Sequence, residues 1–496
     1  MARGCGTKLL TTVFLLAMVG LFVQLQLGGT GDNFQYGIVL DAGSTHTSLF
    51  VYKWPSGKEN NTGVVGQMFS CTVKGPGISA YVNDTAAAGE SLRSCMASAV
   101  AQLPGKKCKS TPVYLGATAG MRLLRKQNPS VSDAILRAVS SVLHSYPLSF
   151  RGARILSGQE EGAFSWTTAN YLLSNFITYD WFGHWLRPVS AVTVGALDLG
   201  GASTQISFVP AETIEVPGDA VRFRLYGYNY TVYTHSYLCY GKDQALKQLL
   251  AQLVKDNPKV TSLDNPCYPR GYRVNVTMGG IFGSPCTEQG RPGGSSPGHS
   301  LLFVGTGQPH SCQENVQRIF NLTFCSHSHC SFNGVYQPDL TGNFLAFSAF
   351  YYTMKFLNLT DPSQKYSADQ VNETIWKFCS LSWEETRTLD PTQQEDTLAN
   401  YCSVANYIYT LLTKGYKFNE TSWTNVAFQK QAGETQLGWA LGYMLNLTNT
   451  MPAEISSSSF SLQIAIISIL STIAILSFVA CLCIQLQIRD NGYMPL

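Results

Sequence analysis

Residues 38–46 read IVLDAGSTH, and residues 195–205 read GALDLGGASTQ. Each is an apolar run that ends in an aspartate and then a turn of Gly, Ala, Ser and Thr. The two aspartates, Asp41 and Asp198, stand about 157 residues apart. A short apolar run closed by a small-residue turn reads as a buried strand. In such a turn backbone N–H groups can approach an anion, because glycine supplies the dihedrals and no bulky side chain intervenes. Two copies of one phosphate-loop device predict a duplicated fold with a cleft between its halves. Two further runs have the same form: 113–115 leads into GATAG at 116–120, and 153–156 leads into SGQEEG at 157–162. Helix-like stretches at 130–144 and 162–173 lie between them, and strands alternating with helices predict an α/β architecture. Residues 290–298 (GRPGGSSPG) read as a flexible surface loop.

Composition narrows the class. The chain has 496 residues, 45 % apolar and only 13 % charged, with a net charge of +3. That excludes a disordered chain, and the balanced charge argues against a nucleic-acid partner.

Two uncharged runs, 9–27 and one within 463–488, are each long enough to cross a bilayer as a helix. The plainer readings are a cleaved signal peptide for the first and a lipid-anchor signal for the second. Against the anchor signal, Arg489, Asp490 and a polar tail follow the second run. Arg3, Lys8 and Arg489 flank the runs and place both termini in the cytoplasm. The expected organisation is a cytoplasmic 1–8, a span at 9–27, a large outer region, a span at 464–484 and a cytoplasmic 485–496. Nine Asn-x-Ser/Thr acceptors fall between the spans: Asn60, Asn83, Asn229, Asn275, Asn321, Asn358, Asn372, Asn419 and Asn446. Eleven of the 14 cysteines lie there too, which in an oxidising compartment predicts disulfides and one free thiol. A plasma-membrane protein with its bulk outside follows, in contact with lipid and able to associate with further copies through its spans.

The two loops suggest a chemistry. Facing turns could hold a polyphosphate from both sides, with Ser and Thr hydroxyls as added donors. The aspartate opening each turn suits a hydrated divalent cation, a hard ion that prefers oxygen. Phosphoryl transfer to water also needs a base. Glu161 lies between a strand and a helix, where the helix N-terminus favours an ionised carboxylate; Glu160 is the competing candidate. Ser203 and Gln205 could orient the water. Each loop alone is more readily an ordinary hairpin with an Asp cap, and the pair carries the reading.

Five stretches then align with a known pattern. DAGSTHTS at 41–48, GATAGMRLL at 116–124, residues 158–171, residues 196–206 and GWALGYML at 438–445 resemble, in order, the five apyrase conserved regions. They mark the ecto-nucleoside triphosphate diphosphohydrolases, and the two spans resemble the cell-surface branch. Residues 151–171 and 429–449 are most similar to type 2 members, with type 8 next.

The resemblance implies a two-lobed actin/Hsp70/sugar-kinase-like (duplicated ribonuclease-H-like) ectodomain, with lobe I at 32–157 plus 430–455 and lobe II at 158–429. It implies hydrolysis of extracellular ATP, ADP and other nucleotides, triphosphates over diphosphates, with Ca²⁺ or Mg²⁺, and so control of purinergic signalling. By the same resemblance Glu161 is the base, Ser203 and Gln205 position the water, and Asp41 and Asp198 hold the metal through waters. Gly43, Ser44, Thr45, His46, Thr118, Gly200, Gly201, Ala202 and Ser203 bind phosphate. Trp439 lies near the metal shell. Tyr352, Tyr401 and Lys242 line the base pocket, where Lys242 and Thr397 stand in place of two arginines of the type 2 pattern. Lysine does not reproduce arginine's planar stacking. The implied disulfides are Cys71–Cys95, Cys239–Cys286, Cys267–Cys312, Cys325–Cys330 and Cys379–Cys402, leaving Cys108 free.

Other signals are weaker. CSHSHC at 325–330 has zinc-ligand chemistry, but an oxidising location favours a disulfide loop. GSSPG at 294–298 lacks the strand–turn–helix context of a hydrolase nucleophile. No Gly-Lys-Ser/Thr loop is present, which argues against a P-loop enzyme. The rival functions are a nucleotide-binding adhesion or receptor protein without turnover, and a kinase or chaperone-like ATPase. The full set of Asp41, Glu161, Asp198, Ser203 and Gln205 argues against the first, and the outer compartment against the second.

Overall fold

A computed structural model describes residues 34–179, 185–188, 192–433 and 435–451, with scattered helical positions between 468 and 486. The 9–27 span lies outside the described residues, as does most of 464–484. Among the described residues no helix is long and apolar enough to cross a membrane. The elements that carry the site fall in one compact unit, Tyr36–Lys53 with Glu59–Met451. Within the described part of the other unit, the Trp54 indole N–H donates to Gln35 Oε1 at 2.9 Å.

The run that opens the sequence argument is a central strand. β1 (Phe34–Ala42) is buried from Tyr36 to Ala42 with only Asp41 partly open, as expected for a strand covered on both faces. It joins β2 (Thr47–Pro55), β3 (Gly66–Thr72), β4 (Pro112–Ala117) and β5 (Ser149–Ile155) in a sheet ordered β3-β2-β1-β4-β5. β1 and β4 are parallel, with Asp41 opposite Gly116, and β4 and β5 are parallel.

The second copy builds a second sheet. β6 (Gly195–Leu199) is wholly buried. With β7 (Ser203–Phe208), β8 (Ala220–Leu225), β9 (Tyr228–Leu238), β10 (Phe344–Ser348) and β11 (Val426–Phe428) it forms the order β8-β9-β7-β6-β10-β11. Without its outermost strand β8, this sheet repeats the neighbour order of the first, and β6 takes the place of β1. Asp41 and Asp198 thus end equivalent central strands. The duplication read from two short stretches extends to the topology of both sheets. A separate three-stranded sheet (Ser262–Asn265, Arg273–Thr277, Ser300–Gly305) stands apart from the repeat.

The helices cover these sheets for local reasons. In α1 (Ala119–Gln127) the apolar positions Met121 and Leu124 turn inward. α2 (Pro129–His144) starts with Pro at its first position and Asn128 as N-cap, the side chain accepting from Val131 N at 3.2 Å. Its Ile135, Val139 and Leu143 follow helical spacing into the first core. α3 (Gly158–Leu172) begins four residues before the expected 162, because Ser157 and Glu160 form a capping box. It is buried almost all round. α7 will denote Trp439–Thr448, after α4 (Lys242–Asp256), α5 (Ala349–Phe356) and α6 (Glu395–Thr410). α3 and α7 touch backbone to backbone at Gly442, where a Cβ would lie 2.0 Å from the Phe164 carbonyl oxygen. There Gly442 N donates to Thr168 Oγ1 at 2.8 Å.

Five disulfides are formed: Cys71–Cys95, Cys239–Cys286, Cys267–Cys312, Cys325–Cys330 and Cys379–Cys402. They are the pairs the resemblance implies, and Cys108 is buried and free. Cys325–Cys330 uses both sulfurs of the CSHSHC stretch, so no thiolate pair is left there for zinc.

Candidate active site

The two glycine turns meet. A Cβ added to Gly201, in the turn after β6, would lie 2.7 Å from Ser44 Oγ and 3.0 Å from Thr45 Cγ2, both in the turn after β1. Only a residue without a side chain lets the second turn come this close to the first. Beside this contact lies a cleft of about 470 Å³. Its wall includes Asp41, Gly43, Ser44, Thr45, His46 and Thr118 from the first sheet's side. It also includes Glu161, Asp198, Gly200, Gly201, Ala202 and Ser203 from the second. Within the first turn Thr45 Oγ1 and His46 Nδ1 are 3.0 Å apart.

Glu160 and Glu161 part company here. The Glu160 side chain accepts from Ser157 N at 2.9 Å and pairs with Arg154 at 2.8 Å on the outside. Glu161, about 100° further round the helix, is buried and lines the cleft. Its Oε2 pairs with Arg122 of α1 and accepts from Gln205 Nε2 at 3.3 Å. Arg122 also donates to Ser203 Oγ at 3.1 Å and to Ser236 Oγ at 3.3 Å. Gln205 sits behind the wall, not in it; its amide reaches Ser203 Oγ at 2.7 Å and Ser236 Oγ at 2.9 Å. Glu161 and Ser203 therefore face the cleft, and Arg122, Gln205 and Ser236 hold them from behind. Gly158 makes room for this layer, since a Cβ there would meet Ser236 Cβ at 2.3 Å and Arg122 Nη1 at 2.5 Å.

Three acids share the buried floor. Burial raises Asp41 to about 8, helped by the charges of Glu161 and Asp198, while the Trp439 indole N–H draws it down. Burial raises Glu161 to about 7, opposed by the Arg122 charge. Burial likewise raises Asp198 to about 6, opposed by the hydroxyls of Ser348 and Ser165, the latter donating at 3.5 Å. Ser348 ends β10 with φ at +58°, a strained value for a residue with a Cβ.

This donor set fits a hydrated divalent cation. Among the described residues no hydrogen bond reaches Asp41 Oδ1, which is buried. A buried acceptor left open in this way is costly unless a ligand or water fills its shell. Two carboxylates with hard oxygens suit an ion that keeps most of its water and binds phosphate as well.

The cleft wall also carries Tyr352, Thr397 and Tyr401. The Tyr352 ring is 51 % exposed, and Tyr401 stacks on Phe356 with centroids 3.8 Å apart. Lys242, at the start of α4, is paired with Asp243 at 2.6 Å. The sequence reading gave no role to Arg122, Ser236, Ser165, Ser348, Asp243, Asp396 or Lys430. Arg122 lies within GATAGMRLL, so a buried cation one turn after a phosphate-loop turn was the available signal for it.

The GDA1/CD39 (nucleoside phosphatase) family profile matches residues 29–463. The chain is 48 % identical over 458 residues to ectonucleoside triphosphate diphosphohydrolase 2 of Gallus gallus, covering 91 % of this chain and 92 % of that one. It is 50 % identical over 420 residues to ectonucleoside triphosphate diphosphohydrolase 8 of Gallus gallus, covering 85 % and 84 %. Among solved structures, nucleoside triphosphate hydrolases from Neospora caninum share the fold. Their TM-score is 0.60 at 16 % identity, over 84 % of this chain and 93 % of theirs.

Proposed function

The chain belongs to the GDA1/CD39 nucleoside phosphatase family, and from that premise we propose how its site works as a nucleoside triphosphate diphosphohydrolase. It is a cell-surface hydrolase that uses a divalent cation and removes terminal phosphate from nucleotides. The geometry supports the finer assignments. Ser44, Thr45, His46 and Thr118 on one side and Gly200, Gly201 and Ala202 on the other grip the phosphate chain. Asp41 and Asp198 would hold a divalent cation, Ca²⁺ or Mg²⁺, with Trp439 beside Asp41. When bound, the cation neutralises charge on the phosphate chain.

Glu161 takes a proton from a water molecule that Ser203 orients. The water oxygen bonds to the terminal phosphorus, and the bond from that phosphorus to the bridging oxygen breaks. The electron pair leaves with the nucleoside diphosphate, and inorganic phosphate is the second product. Repetition on the diphosphate gives the monophosphate. Arg122 favours the ionised form of Glu161 against its burial, and Gln205 and Ser236 fix Ser203 and Arg122.

The observation that carries this reading is the contact of Gly201 with Ser44, which joins the two turns beside one buried carboxylate. The two lobes are 32–157 plus 430–455 and 158–429, each built on one copy of the sheet. Sequons and disulfides support an outer location for both, with two spans, cytoplasmic termini and lipid around the spans, through which copies associate. Extracellular turnover then lowers ATP and ADP at the cell surface. The test is phosphate release from ATP supplied to intact cells bearing the full chain. Release without any added acceptor is expected. Nucleotide binding with no release would instead favour the receptor reading, and release only with an added acceptor would favour a kinase.

A further inference from the structure

Five carboxylates line the cleft against two ammonium groups, Lys242 and Lys430. A polyphosphate substrate is itself an anion, so each unpaired cation in this wall has weight. Lys242 is spent on Asp243. Lys430 is partly buried and pairs with no carboxylate among the described residues. Its backbone is fixed, because its carbonyl accepts from Leu437 N at 3.2 Å across the small hairpin of Gln431–Ala432 and Thr435–Gln436. Its ammonium stands 6.0 Å from the centroid of the Tyr352 ring. A cation–π contact at that distance is at the outer edge of its range and offsets little of the desolvation of a partly buried ammonium. Lys430 is thus held where ligand acceptor atoms would complete its three donors. The Tyr352 ring is 51 % exposed on this wall, and an exposed aromatic face is a platform on which a base stacks, which places those atoms on the nucleoside half of the substrate.

We propose that Lys430 is a substrate-binding residue for the nucleoside half of the nucleotide. In the complex its ammonium leaves the Tyr352 ring to a stacked base and donates to acceptors of the ribose or the base. It then strengthens binding of ground state and transition state alike, which moves KM and leaves kcat in place. The proposal rests on the nucleotide-hydrolase reading above.

The test uses full-length protein in membranes, with its amount measured independently. Lys430→Ala is expected to raise KM for ATP at least about five-fold, with kcat within about two-fold, as loss of one charged hydrogen bond at a partly open site. Lys430→Arg, which keeps the charge, is expected to recover most of that change. An equal rise for ATP and UTP assigns the contact to the ribose, and an unequal rise assigns it to the base. Unchanged KM in Lys430→Ala, or a fall in kcat at unchanged KM, overturns the proposal. Binding of a non-hydrolysable ATP analogue to Glu161→Gln, with and without Lys430→Ala, tests the contact independently of turnover. Weaker binding in the double variant supports the role of Lys430 even where the hydrolase reading fails, and equal binding refutes it.

Discussion

Gly201 and Ser44, one in each copy of the repeated turn, are so close that a single methyl group on Gly201 would stand 2.7 Å from the Ser44 hydroxyl. The same methyl would lie 2.5 Å from Asp243 Oδ2. Close approach at this point brings the two loops onto the wall of one cleft.

Gly201→Ala should therefore act on geometry more than on folding. The added methyl forces the turns apart by a fraction of an ångström to an ångström, and misplacement on that scale costs about 10²-fold in turnover. The stability cost of such overpacking is about 1–3 kcal/mol. Steady-state kinetics on protein of confirmed folding measures this; kcat/KM within three-fold of the wild type would contradict the close-contact account.

Arg122 tests the layer behind the cleft. Its removal leaves Glu161 buried without its charged partner, at a cost of about 3–5 kcal/mol, so the informative variant is Arg122→Lys. An ammonium carries its donors on one atom and does not span the positions that Arg122 reaches from Nη1 and Nη2. A kcat loss of about 10-fold or more with little change in KM is expected. In Arg122→Met, where it folds, the acidic limb of the kcat profile should move to higher pH, because the Arg122 charge is what lowers Glu161. A limb that stays in place would detach Arg122 from the base.

Glu160 separates neighbours with different work. Gln serves a capping box as Glu does, so Glu160→Gln should lose only the exposed Arg154 pair, worth about 0–1 kcal/mol. Its turnover should stay within about three-fold of the wild type. Loss of activity there, with Glu161→Gln active, would transfer the role of base to Glu160.

The buried acids also set a pH dependence of stability. Asp41, Glu161 and Asp198 are raised to about 8, 7 and 6 in the folded protein. The folded state holds protons that the unfolded chain has released. Their contribution is complete below about pH 4 and is lost as pH rises through 6 to 8. With divalent cations chelated, apparent melting temperature should fall between pH 5.5 and 8. Added Ca²⁺ or Mg²⁺ should stabilise more at pH 8, where protons no longer compete for the carboxylates. Asp41→Asn should flatten the chelated profile. An equally steep fall in that variant would place the protons elsewhere.

Much of this site was legible because its parts are local. IVLDAGSTH and GALDLGGASTQ each carry strand, acid and turn within eleven residues, and both became central strands that end at the cleft. The capping box hidden in SGQEEG explains why Glu161, not Glu160, turns inward, yet that phase follows from a helix start at Gly158, which the sequence reading placed later. The supporting layer was not legible. Arg122 meets Glu161, Ser203 and Ser236 across gaps of dozens of residues, and no periodicity links them. Ser348 is a strained strand end whose importance appears only when β10 lies beside β6. The three-stranded sheet also lacks a repeat partner, so the duplication gave no warning of it.

The central claim is that Glu161 takes the proton from the attacking water. Its most direct test is Glu161→Gln, which keeps size and hydrogen bonding but cannot accept the proton. Affinity for a non-hydrolysable ATP analogue should be retained while phosphate release falls by at least about 10². Near-normal release from that variant would contradict the account.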